Sequence, residues 1–549
     1  MLSEHNIASH LTRLAAEKPY KIALYEPFKK DSEGCYSYIH YTYKKLEDES
    51  NIIARGLEAY NISKDSKTVL MVTPSLEFFA LTFALFKIGA VPVLIDPGMG
   101  LKNMKQCLKE ATPDAFIGSP KAHIARIVLG WERGKIKNLI TVGEKSFCGG
   151  TTLEEIKVIG KNSKIKPFSD TKPSDIAAIL FTSGSTGTPK GAVYMHSNFQ
   201  AQVEALKREY NIGEGDIDLC TFPLFALFAP AMNMVAIIPK MDFTRPAKVD
   251  PAHIFDIIES FGVTNLFGSP ALIRRVSKAG KKLPTLRRVI SAGAPVPAKT
   301  LREFSKMLAE DTQIFTPYGA TEALPVSSIG SHEILSETAG ATDEGKGICI
   351  GRPLDSINAS IIKITDDPIE EWTDDLLVKD GQIGEITVEG PQVTTQYINR
   401  NNSNRLNKIK DPKTNKIHHR MGDVGYKDQD GRIWFCGRKS HRVKTETGTL
   451  FTIQVEAIFN IHEDVSRSAL VGIPDRKLQK PVLIVETEKK LGTRQLNELR
   501  GELLDLASKN ELTRSINTIL FHTNFPVDIR HNAKISRETL SIWAEKRLL

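Results

Sequence analysis

The chain has 549 residues, of which 41% are apolar and 25% are charged. These proportions are typical of folded globular proteins with several domains, and they exclude disordered, collagen-like and disulfide-scaffold classes. The net charge of +8 is not concentrated in a polybasic run, so the sequence does not predict nucleic-acid binding.

The cysteines and the N-terminus bear on the cellular compartment. The six cysteines are scattered without a Cys-x-x-Cys pair, which predicts neither a zinc site nor a disulfide framework. The first 20 residues contain no apolar stretch followed by a small-residue cleavage site, as a signal peptide would. We therefore expect a cytoplasmic protein.

Strand and helix patterns alternate through the first part of the chain. The very apolar stretch 76–95 is interrupted by charged residues, glycine and proline, so it falls short of the ~20 apolar residues that cross a bilayer. It predicts a buried helix followed by a strand, and no integral membrane span. The predicted strands are 68–72, 91–95 and 115–117, and the predicted helices are 77–88 and 102–110.

The same alternation returns between residues 176 and 308. Such alternation is typical of parallel sheets covered by helices, and its two occurrences predict an α/β fold with two doubly wound sheets. The predicted strands here are 176–181, 265–267 and 288–291, and the predicted helices are 198–210, 256–261 and 297–308.

The pattern changes near residue 383. Short alternating strands at 385–388 and 433–436 predict a small β subdomain, and the Asn- and Lys-rich segment 399–416 predicts a solvated loop. Residues 438–549 combine short strands with a helix at 495–508, which predicts a small α+β domain. We therefore divide the chain into an N-terminal domain, residues 1–437, and a C-terminal domain, residues 438–549.

A loop rich in glycine and hydroxyl residues follows the predicted strand 176–181. The string at 179–191 reads Ile-Leu-Phe-Thr-Ser-Gly-Ser-Thr-Gly-Thr-Pro-Lys-Gly. Its glycines can expose backbone N–H groups, its hydroxyls are further donors, and its lysine is positively charged, which together predict a polyphosphate site. The spacing is not that of the Walker A motif, and the alternative is a flexible Gly/Ser turn. The candidate phosphate ligands are Thr182, Ser183, Gly184, Ser185, Thr186, Gly187 and Lys190.

This string resembles the core signature of the adenylate-forming superfamily, which includes acyl-CoA synthetases, luciferases and the adenylation domains of peptide synthetases. Further motifs follow in the family's order: Tyr-Gly-Ala-Thr-Glu at 318–322, Met-Gly-Asp at 421–423, Gly-Arg-Lys at 437–439 and Ala-Lys-Ile at 533–535. The resemblance implies an enzyme that activates a carboxylate with ATP and Mg²⁺. It also implies that the C-terminal domain is a mobile lid with its hinge at Lys439 and Ser440.

Each motif residue has a chemical role that fits this reaction. Glu322, beside Thr321, is a natural Mg²⁺ ligand because hard cations prefer carboxylate oxygen. Lys534 can neutralise the two anions that meet when the carboxylate attacks the α-phosphate. With Thr321 and Glu322, it is a predicted catalytic residue.

The remaining motif residues are predicted to bind the nucleotide. Tyr318 and Gly319 can border the purine, on which the tyrosine ring can stack. Asp423 can accept hydrogen bonds from both ribose hydroxyls, and Arg438 can support ribose or phosphate. The turn Ser-Ala-Gly-Ala-Pro at 291–295 resembles the family segment beside the adenine, and its predicted contacts are Gly293, Ala294 and Pro295.

Several departures from the common family pattern are similar to one branch, the β-lactone synthetases of long-chain olefin biosynthesis. Ala226 replaces a common histidine, and Asn-Ala replaces Ser-Gly or Thr-Gly before Lys534. In that branch a 2-alkyl-3-hydroxy fatty acid is adenylated, and its own hydroxyl displaces AMP to close the lactone. This resemblance makes His441 and His531 candidate bases for the hydroxyl.

The acyl acceptor stays open at this point. The alternatives are a medium- or long-chain acyl-CoA ligase, a fatty acyl-AMP ligase that loads a carrier protein, and, more distantly, a non-catalytic nucleotide-binding protein. The expected partners are ATP and a small-molecule acyl substrate, with CoA and other enzymes of the pathway left open. Phe225, Phe228 and Gly268 are the predicted contacts of the acyl chain.

Overall fold

Short polar caps set the beginnings of several helices. Ser119, Asp250 and Ser269 each precede a proline at the start of a helix, and each accepts a hydrogen bond from an N–H group of the first turn. Proline is tolerated there because the first N–H groups of a helix have no partner within it.

The computed structural model describes residues 2–32, 34, 36–132, 134–144, 149–166, 168–182, 189–475, 478–527 and 534–548, without the side chains of residues 97 and 182.

The N-terminal elements attach to a sheet whose other strands come much later in the chain. These elements are α1 (Ser9–Glu17), β1 (Ile22–Lys30), β2 (Tyr36–Thr42) and α2 (Tyr43–Ala59). Strand β1 pairs antiparallel with β2 and parallel with the strand Val235–Ile237. The start of the chain therefore extends the second of the two large sheets.

The first large sheet carries the phosphate loop, and we call it the phosphate-loop sheet. Its elements and the helices around them are β3 (Lys67–Met71), α3 (Leu76–Lys87), β4 (Val91–Ile95), α4 (Leu101–Ala111), β5 (Ala115–Gly118), α5 (Pro120–Val128), β6 (Asn138–Thr141), β7 (Thr151–Thr152), α6 (Leu153–Asn162), β8 (Ile176–Thr182), β9 (Lys190–Met195) and α7 (His196–Tyr210). The strand order is β7-β6-β5-β3-β4-β8-β9, with every pairing parallel except that of β8 with β9. Helix α3 is buried along its length, which explains its almost wholly apolar sequence.

The second sheet repeats this topology. Its elements are β10 (Ile217–Leu219), α8 (Pro223–Ala226), β11 (Val235–Ile237), α9 (Pro251–Phe261), β12 (Asn265–Gly268), α10 (Pro270–Ser277), β13 (Arg288–Ser291), α11 (Ala298–Ser305) and β14 (Gln313–Phe315). The order is β14-β13-β12-β10-β11-β1-β2, parallel up to β1. The chain leaves β10 toward β11 and then crosses to β12 on the other side. This reversal is a topological switch point, where ligands bind beyond the carboxyl ends of the strands.

A mainly antiparallel β region follows. Its elements are β15 (Tyr318–Ala320), β16 (Ala323–Ser328), α12 (Ser331–Glu333), α13 (Ala339–Asp343), β17 (Ile348–Cys349), β18 (Arg352–Pro353), β19 (Asn358–Ile362), β20 (Gly384–Glu389), α14 (Asn401–Asn407), β21 (Lys408–Lys410), β22 (Ile417–Lys427) and β23 (Ile433–Arg438). The order β17-β23-β22-β20-β19 forms one antiparallel sheet, with β21 paired to β22. This sheet is the predicted β subdomain.

The last hundred residues form separate sheets. Their elements are β24 (Val443–Thr445), β25 (Gly448–Leu450), α15 (Thr452–Asn460), β26 (Val465–Asp475), β27 (Leu478–Thr487), α16 (Thr493–Lys509), β28 (Ile519–Phe521) and α17 (Arg537–Leu548). Strand β27 lies between β26 and β28, and helix α17 packs against β26 with Leu540 fully buried. The segment has its own apolar cores, as an α+β unit requires.

The structure confirms the two wound sheets and the β subdomain, but one prediction for the chain is wrong. Residues 399–416 are not a solvated loop, because they contain α14 and β21, and Lys408 and Ile409 are buried by pairing of β21 with β22. Within the described ranges, none of the helices has the length and apolar character needed to span a bilayer.

Candidate active site

The phosphate loop connects two antiparallel strands. Strand β8 ends at Thr182, whose backbone pairs with Lys190 at the start of β9. Ser183, Gly184, Ser185, Thr186 and Gly187 lie outside the described residues. The Lys190 Nζ atom lies 5.1 Å from the centre of the Tyr397 ring. Burial lowers the pKa of Lys190, and the nearby Glu322 carboxylate opposes that effect.

Three predicted nucleotide-binding residues contact one another. They lie on strands β15, β22 and β23. The Tyr318 hydroxyl on β15 donates a hydrogen bond of 2.6 Å to Asp423 Oδ2 on β22. Arg438, at the end of β23, places Nη1 2.8 Å from Asp423 Oδ1. Burial raises the pKa of Asp423, while Arg438, the Tyr318 hydrogen bond and the charge of Lys534 act in the opposite direction. These contacts fix the Asp423 carboxylate, which is the predicted acceptor of hydrogen bonds from the ribose hydroxyls.

Thr321 and Glu322 form the turn between β15 and β16. The Tyr194 hydroxyl donates a hydrogen bond to the Thr321 carbonyl oxygen. The Tyr397 hydroxyl donates to Glu322 Oε1 at 2.7 Å, and Thr394 donates to the Glu322 carbonyl oxygen through its N–H group at 2.8 Å and its hydroxyl at 3.1 Å. The turn is therefore held from several sides.

The Glu322 carboxylate fits a Mg²⁺ ion that is shared with a nucleotide. Among the described residues, no three His, Cys, Asp or Glu side chains group together as an all-protein metal cage would require. Mg²⁺ is commonly held by one or two carboxylates together with substrate phosphates and water. Glu322 is 9% exposed and carries a hard oxygen donor, so it suits that mode.

Lys534 lies in the C-terminal domain, directly before Ile535. Ile535 forms a bridge with Val527, and the Ser536 N–H group donates to the Pro526 carbonyl oxygen at 2.8 Å. The positive charge of Lys534 is close enough to Asp423 to lower the pKa of that carboxyl group. The charge of Lys534 therefore acts on the carboxyl group that is predicted to bind the ribose.

The predicted hinge is tied to the β subdomain. Lys439 Nζ lies 3.0 Å from Glu385 Oε1 and donates to the Thr365 carbonyl oxygen at 2.9 Å. Glu385 is fully buried and also accepts from Arg420 Nη2 at 2.6 Å. Ser440 follows within a single 3-10 turn, Lys439–His441. The contacts of Lys439 hold the start of the C-terminal domain in the present orientation.

The two candidate histidines have different outcomes. His441 Nε2 lies 3.0 Å from Glu538 Oε1, and burial lowers the pKa of the imidazole. Its buried Nδ1 atom has no hydrogen-bond partner within the described part of the chain. His531 lies outside the described residues.

The predicted adenine turn and the predicted acyl contacts share one edge of the second sheet. Gly268 ends β12 and pairs with Ser291, which ends β13 and begins the turn of Gly293, Ala294 and Pro295. Gly293 has a φ of +98°, a conformation that favours glycine. Purine and acyl chain can therefore approach the same strand ends.

An aromatic group lies beside Gly268 at the switch point. The rings of Phe225 and Phe267 are stacked with centroids 4.6 Å apart, and Phe222 stacks on Phe267 at 5.3 Å. Phe228 packs instead near Phe199, with ring centroids 5.1 Å apart. Ala226, where the family commonly has histidine, is fully buried. The aromatic side chains between β10 and β12 therefore form an apolar wall, which is the kind of surface that a binding site for a fatty chain needs.

A family model for AMP-binding enzymes matches residues 11–398. The chain belongs to this family. The matched range includes the phosphate loop and the turn that carries Thr321 and Glu322, whereas Asp423, Arg438 and Lys534 lie beyond it.

Two relatives from bacteria are each 46% identical to the chain. They are the olefin β-lactone synthetases of Xanthomonas campestris pv. campestris and Stenotrophomonas maltophilia, and the similarity covers 99% of this chain and 98% of each relative. The predicted membership of the adenylate-forming superfamily, as an AMP-forming ligase, is confirmed. The predicted similarity to β-lactone synthetases is confirmed as well.

Solved structures share the fold at much lower sequence identity. The o-succinylbenzoate CoA synthetase of Bacillus subtilis in complex with ATP and a magnesium ion has a TM-score of 0.75 and 18% identity, covering 97% of this chain and 98% of that one. An amide bond synthetase from Marinactinospora thermotolerans has a TM-score of 0.77 and 18% identity, covering 98% and 99%. These family structures confirm the predicted fold class.

Three residues around Glu322 were not predicted from the sequence. Thr394, Tyr397 and Lys408 all lie near this turn, and Thr394 and Tyr397 hydrogen-bond to Glu322 itself. The signal available in the sequence was the pair Tyr397 and Ile398 directly before the Asn-rich segment, because large apolar side chains indicate burial.

Proposed function

We propose that the enzyme uses ATP and Mg²⁺ to adenylate a 2-alkyl-3-hydroxy fatty acid and then closes it to a β-lactone. In the first step a carboxylate oxygen attacks the α-phosphorus, and pyrophosphate leaves. In the second step the 3-hydroxyl oxygen loses its proton, attacks the acyl carbonyl carbon and displaces AMP. The observation that carries the proposal is the contact of Tyr318 and Arg438 with the buried Asp423, in a chain that is 46% identical to two olefin β-lactone synthetases.

Residues on strands β15, β22 and β23 hold the nucleoside part of ATP. Asp423, fixed by Tyr318 and Arg438, accepts hydrogen bonds from the ribose hydroxyls, and the turn at Gly293 borders the adenine. Lys190 and the phosphate loop bind the triphosphate. Glu322 holds Mg²⁺, which supplies neutralising charge to the phosphates when it is bound.

Lys534 has the central role in the first step. A carboxylate and a triphosphate repel each other, and a cation placed between them stabilises the transition state more than the separated reactants. The ion pair of the buried Asp423 with Arg438 supports this role, because it sets a cation beside an anion within the proposed site. We place the domain boundary at residues 437 and 438, so that Lys534 enters the site on a lid that hinges at Lys439 and Ser440.

The second step needs proximity more than a further binding site. An internal hydroxyl beside an activated carbonyl has an effective molarity of up to ~10⁵ M or more, which helps to offset the strain of the four-membered ring. The buried Nδ1 atom of His441 is our candidate acceptor for the hydroxyl proton. The apolar wall of Phe225, with Phe228 and Gly268 nearby, binds the alkyl chains.

The products distinguish this proposal from a thioester-forming ligase. Purified protein is incubated with ATP, Mg²⁺ and a synthetic 2-alkyl-3-hydroxy acid, with and without CoA, and the products are identified by mass spectrometry. We expect lactone and AMP without CoA. A CoA thioester, with no product in the absence of CoA, would assign the acyl-CoA ligase instead. An adenylate that accumulates would point to a carrier-protein acceptor.

Location of the enzyme in the cytoplasm stays a prediction.

A further inference from the structure

Lys408 is a buried lysine that none of the family motifs includes. It lies at the start of β21 and is only 8% exposed, whereas Lys410, two residues further along the same strand, is exposed. Burial lowers the pKa of Lys408, whereas the negative charge of Glu322 favours its ammonium form. A lysine is rarely buried without a specific set of contacts, because desolvation of the ammonium group is costly.

The contacts of Lys408 lead to the metal-binding turn. Its Nζ atom donates to the Thr394 carbonyl oxygen, donates to the Thr394 hydroxyl at 3.3 Å and lies 5.4 Å from the centre of the Tyr397 ring. These partners are uncharged. Thr394 and Tyr397 are in turn the residues that hydrogen-bond to the backbone and the carboxylate of Glu322.

One ammonium group thus fixes both supports of Glu322. Thr394 donates its N–H group and its hydroxyl to the Glu322 carbonyl oxygen, and the Lys408 contact orients that hydroxyl by occupying its lone pair. The cation over the Tyr397 ring restrains the ring whose hydroxyl donates to Glu322 Oε1. Residues that orient a metal ligand in this way typically change metal affinity when they are removed.

We propose that Lys408 is a positioning residue for the metal site, which acts through Thr394 and Tyr397 to hold the Glu322 carboxylate ready for a divalent cation. This inference rests on the assignment of Glu322 as the metal ligand in the proposed function. Lys408 itself does not contact the reacting groups. Its role differs from that of Lys190, which lies over the same ring but belongs to the phosphate loop.

The test compares Lys408→Met with Lys410→Met. Methionine keeps much of the length of the side chain and removes its charge and its donors, and Lys410 offers the same change at the exposed end of the same strand. Binding of Mn²⁺ is measured by electron paramagnetic resonance in the presence of a non-hydrolysable ATP analogue. We expect Lys408→Met to weaken Mn²⁺ binding roughly 10- to 100-fold and Lys410→Met to leave it unchanged.

A kinetic measurement separates positioning from a general structural role. We expect Lys408→Met to raise the Mg²⁺ concentration that gives half-maximal adenylation, while kcat at saturating Mg²⁺ stays close to the wild-type value. Unchanged Mn²⁺ affinity in the folded variant, or a loss confined to kcat, would overturn the inference. If Lys408→Met does not fold, Thr394→Val replaces it, because that variant removes only the hydroxyl between Lys408 and Glu322; unchanged Mn²⁺ affinity there has the same meaning.

The binding measurement is independent of the acyl reaction. Mn²⁺ and the ATP analogue bind without an acyl substrate, so a wild-type protein that binds both but forms no acyl adenylate would contradict the proposed function alone. A variant that binds Mn²⁺ as the wild type does would contradict the role of Lys408 alone.

Discussion

The hydroxyl of Tyr318 donates a 2.6 Å hydrogen bond to Asp423, a residue 105 positions further along the chain. This bond joins strand β15 to strand β22 and sets the position of a buried carboxylate. Arg438 completes the arrangement from the end of β23. The nucleotide pocket therefore depends on contacts between distant segments of the chain.

Replacing Tyr318 with phenylalanine removes this hydrogen bond and keeps the ring. A hydrogen bond to a charged group contributes about 1.5–3 kcal/mol, so we expect the Kd for ATP to rise about tenfold or more. Isothermal titration calorimetry measures the change. Tyr426→Phe, on the same strand as Asp423 but stacked on Trp434, is the matched control and should bind ATP normally. Equal affinities for the two variants would show that the bond does not order the pocket.

Lys534→Ala removes the cation that approaches the site from the C-terminal domain. We expect the rate of acyl-adenylate formation to fall by at least about 10²-fold, because charge that develops in the transition state is no longer neutralised. ATP binding should change little. Quenched-flow measurement of acyl adenylate checks the rate, with the exposed Lys509→Ala of the same domain as control. A rate within a few fold of the wild type would remove Lys534 from the mechanism.

Gly268 gives a test of the acyl site. A Cβ atom there would lie 3.0 Å from Leu272 Cδ2 and 3.3 Å from Ile273 Cδ1, both flexible side-chain ends. A larger Gly268→Leu side chain should crowd these two side chains and shift the strand end that carries Phe267, which should lower kcat/KM for long-chain acids more than for short ones, by about 10-fold or more. Gly213→Leu, where an added side chain meets open space, is the control. An unchanged chain-length preference would place the acyl chain elsewhere.

Asp218 predicts how stability depends on pH. Burial raises the pKa of its carboxyl group to about 7 in the folded protein, and the Asn265 side-chain amide donates to it. The folded state then holds a proton that the unfolded state releases near pH 4, so this contribution to stability falls as the pH rises from about 4 to 7.

The variant Asp218→Asn removes that titration. We expect the stability of the wild type relative to Asp218→Asn to decrease by up to about 1.4 kcal/mol for each unit between pH 5 and 7 and to be constant above. Urea unfolding at several pH values measures it, with the exposed Asp311→Asn as control. A pH-independent difference would mean that Asp218 is ionised throughout this range.

Much of the fold followed from local patterns in the sequence. The apolar run that forms β4 was predicted with its bounds at 91 and 95, because a short buried parallel strand is apolar throughout. The antiparallel pairing of β8 with β9 was not predicted, since the period of a buried strand does not show the direction of its partner.

The site was predictable where a residue belongs to a short motif. Tyr318 and Asp423 each belong to a recognisable local string, and the structure joins them by a hydrogen bond. Lys408 was missed because composition predicts solvent around a lysine in an Asn-rich segment. Its burial depends on Thr394 and Tyr397, which tertiary packing brings to it.

The most direct test of the account is ATP–pyrophosphate exchange with purified wild-type protein, Mg²⁺ and a 2-alkyl-3-hydroxy fatty acid. Formation of a bound acyl adenylate is reversible, so labelled pyrophosphate should enter ATP only when the acid is present. We expect acid-dependent exchange that is lost in Lys534→Ala. Absence of exchange across a series of fatty acids, in protein that binds ATP, would contradict acyl adenylation as the activity of this enzyme.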